Sequence, residues 1–137
     1  MSTFATPVVC AIIEQDGLIM VAQRPPGKRL EGCWEFPGGK IEMDELPEEA
    51  LHRELFEELG CQVEIIQTGR PVSHVYDWGS IMLHPFRCSL VEGSQQPVAY
   101  EHSALQWLPL AELGGLELAP ADLPVLEWLN QEAAKAE

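Results

Sequence analysis

Basic side chains are scarce in this chain: 8 lysines and arginines stand against 22 aspartates and glutamates, for a formal net charge of -14. So acidic a surface repels nucleic-acid backbones and anionic membranes unless a local basic patch offsets it, and the sequence holds no such patch. Neither a nucleic-acid polymer nor a membrane is expected as a partner. An apolar run long enough to cross a bilayer, about 18 residues, is absent, as is a basic-then-apolar leader at the N-terminus. The expectation is a soluble, cytoplasmic protein. The 4 cysteines, Cys10, Cys33, Cys61 and Cys88, are isolated singles without a C-x2-C pair, which argues against a zinc site or a secreted disulfide framework and for reduced, mostly buried thiols. Repeats, low-complexity tracts and linkers are missing too. The 137 residues are therefore expected to form a single domain, 1–137, burying roughly two-thirds of the unfolded chain's surface around one core.

Across residues 7–24, PVVCAIIEQDGLIMVAQR, two β-rich runs flank an Asp16-Gly17 turn signal and read as a hairpin. Residues 25–33, PPGKRLEGC, form a loop by composition. CWEFPGGK then leads into a helix. A short strand is expected at 61–67, a second hairpin from 72–76 and 81–91 around Asp77, Trp78 and Gly79, another strand at 104–108 and a closing helix at 123–134. Strands and helices neither alternate regularly nor segregate fully, which favours an α+β fold or an α-β-α sandwich over a doubly wound sheet.

The first helix should start at Pro47, with Glu48 and Glu49 at the positive end of its dipole, and stop at Gly60. Leu51, Leu55 and Leu59 recur at helical spacing and form its core stripe. Beside that stripe Glu54, Glu57 and Glu58 fall within an arc of about 100°. Each like-charged pair costs an exposed helix about 0.2 to 0.5 kcal/mol. Arg53 offsets only part of this, with Glu49 competing for it one turn away. Taken alone, such a helix reads as a solvated acidic face. Its surroundings argue for more: the glycines of Pro37-Gly38-Gly39 permit a close backbone approach, so a carbonyl can join the carboxylates around a hard divalent ion such as Mg2+, which takes oxygen ligands and keeps waters and substrate phosphates. Competing motifs fail. GGKI is not a P-loop, His52 has no partner histidine one turn on, and no calcium loop is present.

Gly39, Glu45, Arg53, Glu54, Leu55, Glu57, Glu58 and Gly60 stand at the spacing G-x5-E-x7-R-E-U-x-E-E-x-G-U, where U is bulky and aliphatic. On these residues the chain resembles the Nudix family. Cys61 departs from the pattern at its last position, which should weaken packing slightly and leave the chemistry untouched. Leu46 stands where a capping Ser or Thr is common, with Asp44 or Glu45 as the substitutes expected for it. The likeness covers nearly the whole chain and points to the MutT group and bacterial CTP pyrophosphohydrolases through AIIEQDGLIMVAQRP, WEFPGGKIE, EHSALQWL and LAPADLPVL. It implies the α+β class, as an α-β-α sandwich with a mixed central sheet. It also implies Mg2+-dependent hydrolysis, with Mn2+ as a substitute, of a nucleoside diphosphate linked to a further group, in a monomer or homodimer that sanitises the nucleotide pool.

Carried over residue by residue, the resemblance makes Glu54, Glu57 and Glu58 metal ligands together with the Gly38 carbonyl. Glu101, in the YEH segment, resembles a further ligand or base. Gly39, Glu45, Arg53 and Gly60 resemble structural residues of the box, with Glu45 and Arg53 bracing loop and helix by an ion pair. Arg24 and Phe36 resemble nucleotide contacts. As residues alone, a loop glutamate such as Glu101 is more often simply solvated, and the competing expectation for Arg24 is a strand-end surface charge. A metal in such a site neutralises the phosphates, orients a water in line with a phosphorus and lowers its pKa. Nucleoside monophosphate and pyrophosphate are then the expected products, with Glu57 or Glu101 helping to take the proton.

Base choice turns on Asp122, where MutT-like sequences often carry Asn. Ionised, its carboxylate only accepts hydrogen bonds and suits the exocyclic amino group of cytosine; protonated, it also donates and suits an oxidised guanine. The competing expectation is that Asp122 caps the last helix ahead of Leu123 and Pro124. Two rival functions share the box: hydrolysis of ADP-ribose or a dinucleotide, and a non-catalytic nucleotide-sensing module. Such modules usually have eroded glutamates, and here every one is present.

Overall fold

Strand β1, Thr6–Gln15, buries Val9 to Ile13 without a break, because both of its faces are covered. Val9, Ala11 and Ile13 point one way, onto helix α1, Pro47–Leu59; Cys10 and Ile12 point the other way, onto helix α2, Leu123–Lys135. This strand periodicity builds the two cores of an α-β-α sandwich. The computed structural model describes residues 5–136, so the reading of a leader falls partly outside the described residues.

The remaining strands are β2, Leu18–Gln23; β3, Trp34–Glu35; β4, Gly38–Lys40; β5, Val63–Thr68; β6, Val72–Tyr76; β7, Gly79–Leu90; and β8, Ala104–Leu108. They form a mixed sheet of order β3-β2-β1-β7-β5, in which β1 runs parallel to β7 from Thr6↔Ile81 to Ile13↔Cys88. The other pairings are antiparallel. The first hairpin turns as expected, with Asp16 at φ 52° and Gly17 at φ 78°, the left-handed pair of a type I′ turn.

One departure from that hairpin shapes the site. β2 pairs with β1 only at Glu14↔Ile19 and Gln15↔Leu18, then veers off to pair with β3 and β8. β4 takes its place along β1, at Val8↔Lys40, Val9↔Gly39 and Cys10↔Gly38. Strands β3 and β4 thus lie where the sequence suggested only a lead-in to the helix.

Helix α1 has the expected bounds and buries Leu51, Leu55 and Leu59 completely, each side chain contributing roughly 1.5 to 3 kcal/mol. It ends on Gly60 in the left-handed conformation, φ 69°. At its start neither Asp44 nor Glu45 substitutes for a cap. Leu46 is the N-cap and has no side-chain acceptor to offer, while Glu49 Oε1 accepts from the Leu46 N–H at 2.8 Å. That is the half of a capping box that needs no polar N-cap, and it takes Glu49 out of competition for Arg53. Among the described residues no helix is long and apolar enough to cross a membrane. Cys10, Cys61 and Cys88 are buried free thiols and Cys33 is half-buried.

Candidate active site

The wedge between β1 and β2 brings backbone to the edge of α1. At Gly38 an added Cβ would run into the Val9 carbonyl and Cys10 Cα, so only glycine lets β4 lie this close to β1. At Gly39 it would run into the Glu54 carboxylate, which rests directly on the peptide backbone. Arg53 fixes that contact. Its Nε and Nη2 donate to Glu45 Oε2 and Oε1 at 2.7 and 2.9 Å, Nη2 also donates to the Lys40 carbonyl at 3.0 Å, and Nη1 donates to Glu54 Oε1 at 2.9 Å. The fork ties the loop before α1 to the helix and holds the Glu45 carboxyl down to about 2.

Burial raises the Glu54 carboxyl, against the pull of Arg53. Glu57, half exposed, lies 3.6 Å from Arg53 Nη1. Glu58 is the anomaly of the trio. Burial pushes its carboxyl up to about 9, the negative charges of Glu54, Glu35 and Glu101 add to the effect, and Arg24 opposes it. Its Oε1 is buried without a hydrogen-bond partner. A buried carboxylate oxygen with no donor is costly, and a hard divalent cation is the complement it lacks. The orphaned Glu58 oxygen, with the Glu54 carboxylate acting on it, would suit such an ion. The trio is gathered but not closed: among the described residues no three His, Cys, Asp or Glu side chains converge as a finished metal shell, and Arg53 still holds Glu54.

Glu101 is exposed, on a loop docked against the end of α1. The Val98 N–H donates to the Leu59 carbonyl at 3.0 Å and the Tyr100 N–H to the Glu58 carbonyl at 3.3 Å, while the Ser103 N–H donates to Gln23 at 3.0 Å. Gly60 leaves room for Gln95 and Tyr100 of this loop, which a Cβ would strike. The charge of Glu101 thereby reaches both Glu54 and Glu58.

Sequence reasoning passed over Glu35 and His102. Glu35 accepts from Arg24 Nη1 at 3.2 Å on Oε1 and pairs with His102 Nε2 at 2.9 Å on Oε2. The available signals were a carboxylate three residues before Gly38 and a histidine next to Glu101. Arg24, with Nε donating to the Arg29 carbonyl at 2.6 Å, acts on Glu58 and Asp122 and so faces the site.

Asp122 does not cap α2. Its side chain makes no capping bond; it is 5% exposed, and Oδ2 accepts the Phe36 N–H at 3.1 Å. Burial first, and then Glu35, raise this carboxyl well above its ordinary value. The Phe36 ring is buried in the core against α2, so what Phe36 turns toward Asp122 is its backbone. Cavities of about 210 Å³, beside Glu14 and Arg87, and about 280 Å³, beside Arg70 and Trp128, lie away from these groups. The ionisable groups that act on one another gather instead along α1, β3 and the Glu101 loop.

The NUDIX domain profile matches residues 8–128. The chain belongs to the Nudix family. Among its Nudix relatives, the CTP pyrophosphohydrolase of Escherichia coli is 43% identical over 120 residues, spanning 88% of this chain and 87% of that protein. A Mycobacterium tuberculosis protein named putative 8-oxo-dGTP diphosphatase 2 is 39% identical over 116 residues, spanning 84% and 81%. The solution structure of the E. coli ORF135 protein superposes with a TM-score of 0.83 at 39% identity, covering 96% of this chain and 92% of that one. The Nudix box thus accounts for the charges on α1, and Cys61, at its one irregular position, is simply buried in the core under the helix.

Proposed function

We propose that this chain is a Mg2+-dependent nucleoside triphosphate pyrophosphohydrolase that converts cytidine-type or oxidised nucleotides to monophosphate and pyrophosphate. The observation that carries the reading is Glu58, a buried carboxylate with an orphaned oxygen beside Glu54 and within the field of Glu101. These residues and the Gly38 carbonyl would hold Mg2+, with Mn2+ as a substitute, and the bound ion would supply charge neutralisation for the polyphosphate and a more acidic water. Arg53 and Glu45 keep Glu54 against Gly39. Glu57, the most exposed of the trio, or Glu101 would take a proton from the attacking water. Arg24 supplies positive charge on the nucleotide side.

Asp122 is assigned to the base. Burial favours its protonated form, which can donate as well as accept, while Phe36 N–H occupies only Oδ2. The relatives named for CTP and for 8-oxo-dGTP support the two base types. A nucleotide-pool role and the free cysteines fit a cytoplasmic setting. The test is a kcat/KM ranking over CTP, dCTP, 8-oxo-dGTP, dGTP and ADP-ribose. Cytidine-type and oxidised nucleotides should lead, and Asp122→Asn should reorder the list. An unchanged ranking in the variant refutes the role of Asp122, and turnover confined to ADP-ribose replaces the substrate reading.

A further inference from the structure

Glu101 makes no side-chain hydrogen bond among the described residues, so its neighbours must set its place. Backbone bonds pin the residue before it to the Glu58 carbonyl and Ser103 to the Gln23 carbonyl. The remaining tie is His102. Its side chain is 6% exposed, its Nε2 lies 2.9 Å from Glu35 Oε2, and its Nδ1 is buried with no partner. For packing alone an apolar side chain would serve better, since it would leave no buried nitrogen unsatisfied. Glu35 in turn spends its second oxygen on Arg24 and sits in β3 just before the Phe36-Pro37-Gly38 segment. One carboxylate thus joins the Glu101 loop to the backbone carrying the Gly38 carbonyl and to the arginine on the nucleotide side.

We propose that His102, through its hydrogen bond to Glu35, is a positioning residue that holds Glu101 against the carboxylates of α1. The inference rests on the reading of Glu101 as a metal ligand. Loss of a group that orients a metal ligand typically changes metal affinity or activity by about 10- to 100-fold, and His102 would orient Glu101 through the backbone next to it.

The test compares His102→Leu, which keeps bulk without a donor, with His102→Gln, whose amide nitrogen reaches the place of Nε2, and with Glu101→Gln. Mn2+ is titrated calorimetrically into each protein without nucleotide, and kcat, KM and Tm are measured alongside. The Leu variant should lose Mn2+ affinity and kcat by about 10- to 100-fold with KM nearly unchanged, and the Gln variant should stay within about threefold of the wild type. If the Leu variant does not fold, His102→Asn, whose amide reaches only the Nδ1 position, should show the same loss. A loss in Glu101→Gln with wild-type behaviour in His102→Leu, or equal losses in the Gln and Leu variants, overturns the inference alone. Wild-type Mn2+ binding and kcat in Glu101→Gln would overturn the assignment of Glu101 and the inference with it.

Discussion

Replacing Glu58 by Gln should stabilise the metal-free protein while removing its activity. The carboxyl ionises freely in the unfolded chain near 4.5, but only at about 9 in the fold, where it is buried among Glu54, Glu35 and Glu101. A raised native pKa means that the native state holds a proton the unfolded state has released. The contribution of Glu58 to stability is therefore greatest below about pH 4.5 and falls by up to ~1.4 kcal/mol for each pH unit until about pH 9. Neutral pH lies about 2.5 pH units along that slope, so glutamine, which never ionises, should be ahead by up to about 3 kcal/mol there. Urea unfolding in EDTA across this range is the assay. The advantage of the variant should grow with pH and then level off. Adding Mg2+ should narrow it, because the ion stabilises only the fold that binds it. A Glu58→Gln variant that is no more stable than wild type at any pH would refute the buried, charge-crowded environment assigned to this residue.

The two glycines before α1 should respond differently to alanine. Gly38→Ala drives a Cβ into the backbone of β1 and should lower Tm sharply, whereas Gly39→Ala meets only the movable Glu54 carboxylate and should keep its Tm while losing most of kcat. Leu46→Ser supplies the missing cap at a residue 62% exposed and should add about 0.5 to 2 kcal/mol by thermal unfolding, without changing kcat. Asp122→Ala strands the buried Phe36 N–H and should cost about 1 to 3 kcal/mol in urea unfolding, a loss that Asp122→Asn, which keeps an acceptor, should largely avoid.

What could be read from the sequence was written locally. The leucines at 51, 55 and 59, Pro47 and Gly60 define α1 within a few turns of chain, and Asp16-Gly17 defines its hairpin within four residues. The box glutamates share one helix, so their spacing alone declared the patch. Strands β3 and β4 were not legible because Trp34–Glu35 is only two residues long and Gly38–Lys40 is short and glycine-rich, and their pairing depends on β2 veering away from β1. The pair Glu35 and His102 is separated by 67 residues, and Asp122 and Phe36 by 86. Around Asp122 the local sequence is that of a helix cap, and only the tertiary fold turns the carboxylate inward to the Phe36 N–H instead. Glu58 shows the reverse relation: its position on the helix was plain, but its burial and orphaned oxygen belong to the assembled site.

Product identification tests the central claim most directly. CTP is incubated with Mg2+ and either the wild type or Glu58→Gln, and the products are separated by ion-exchange chromatography. CMP and pyrophosphate in equal amounts from the wild type, and intact CTP with the variant, are the predicted results. CDP and inorganic phosphate, or the same products at the same rate from Glu58→Gln, would contradict a pyrophosphohydrolase built on these carboxylates.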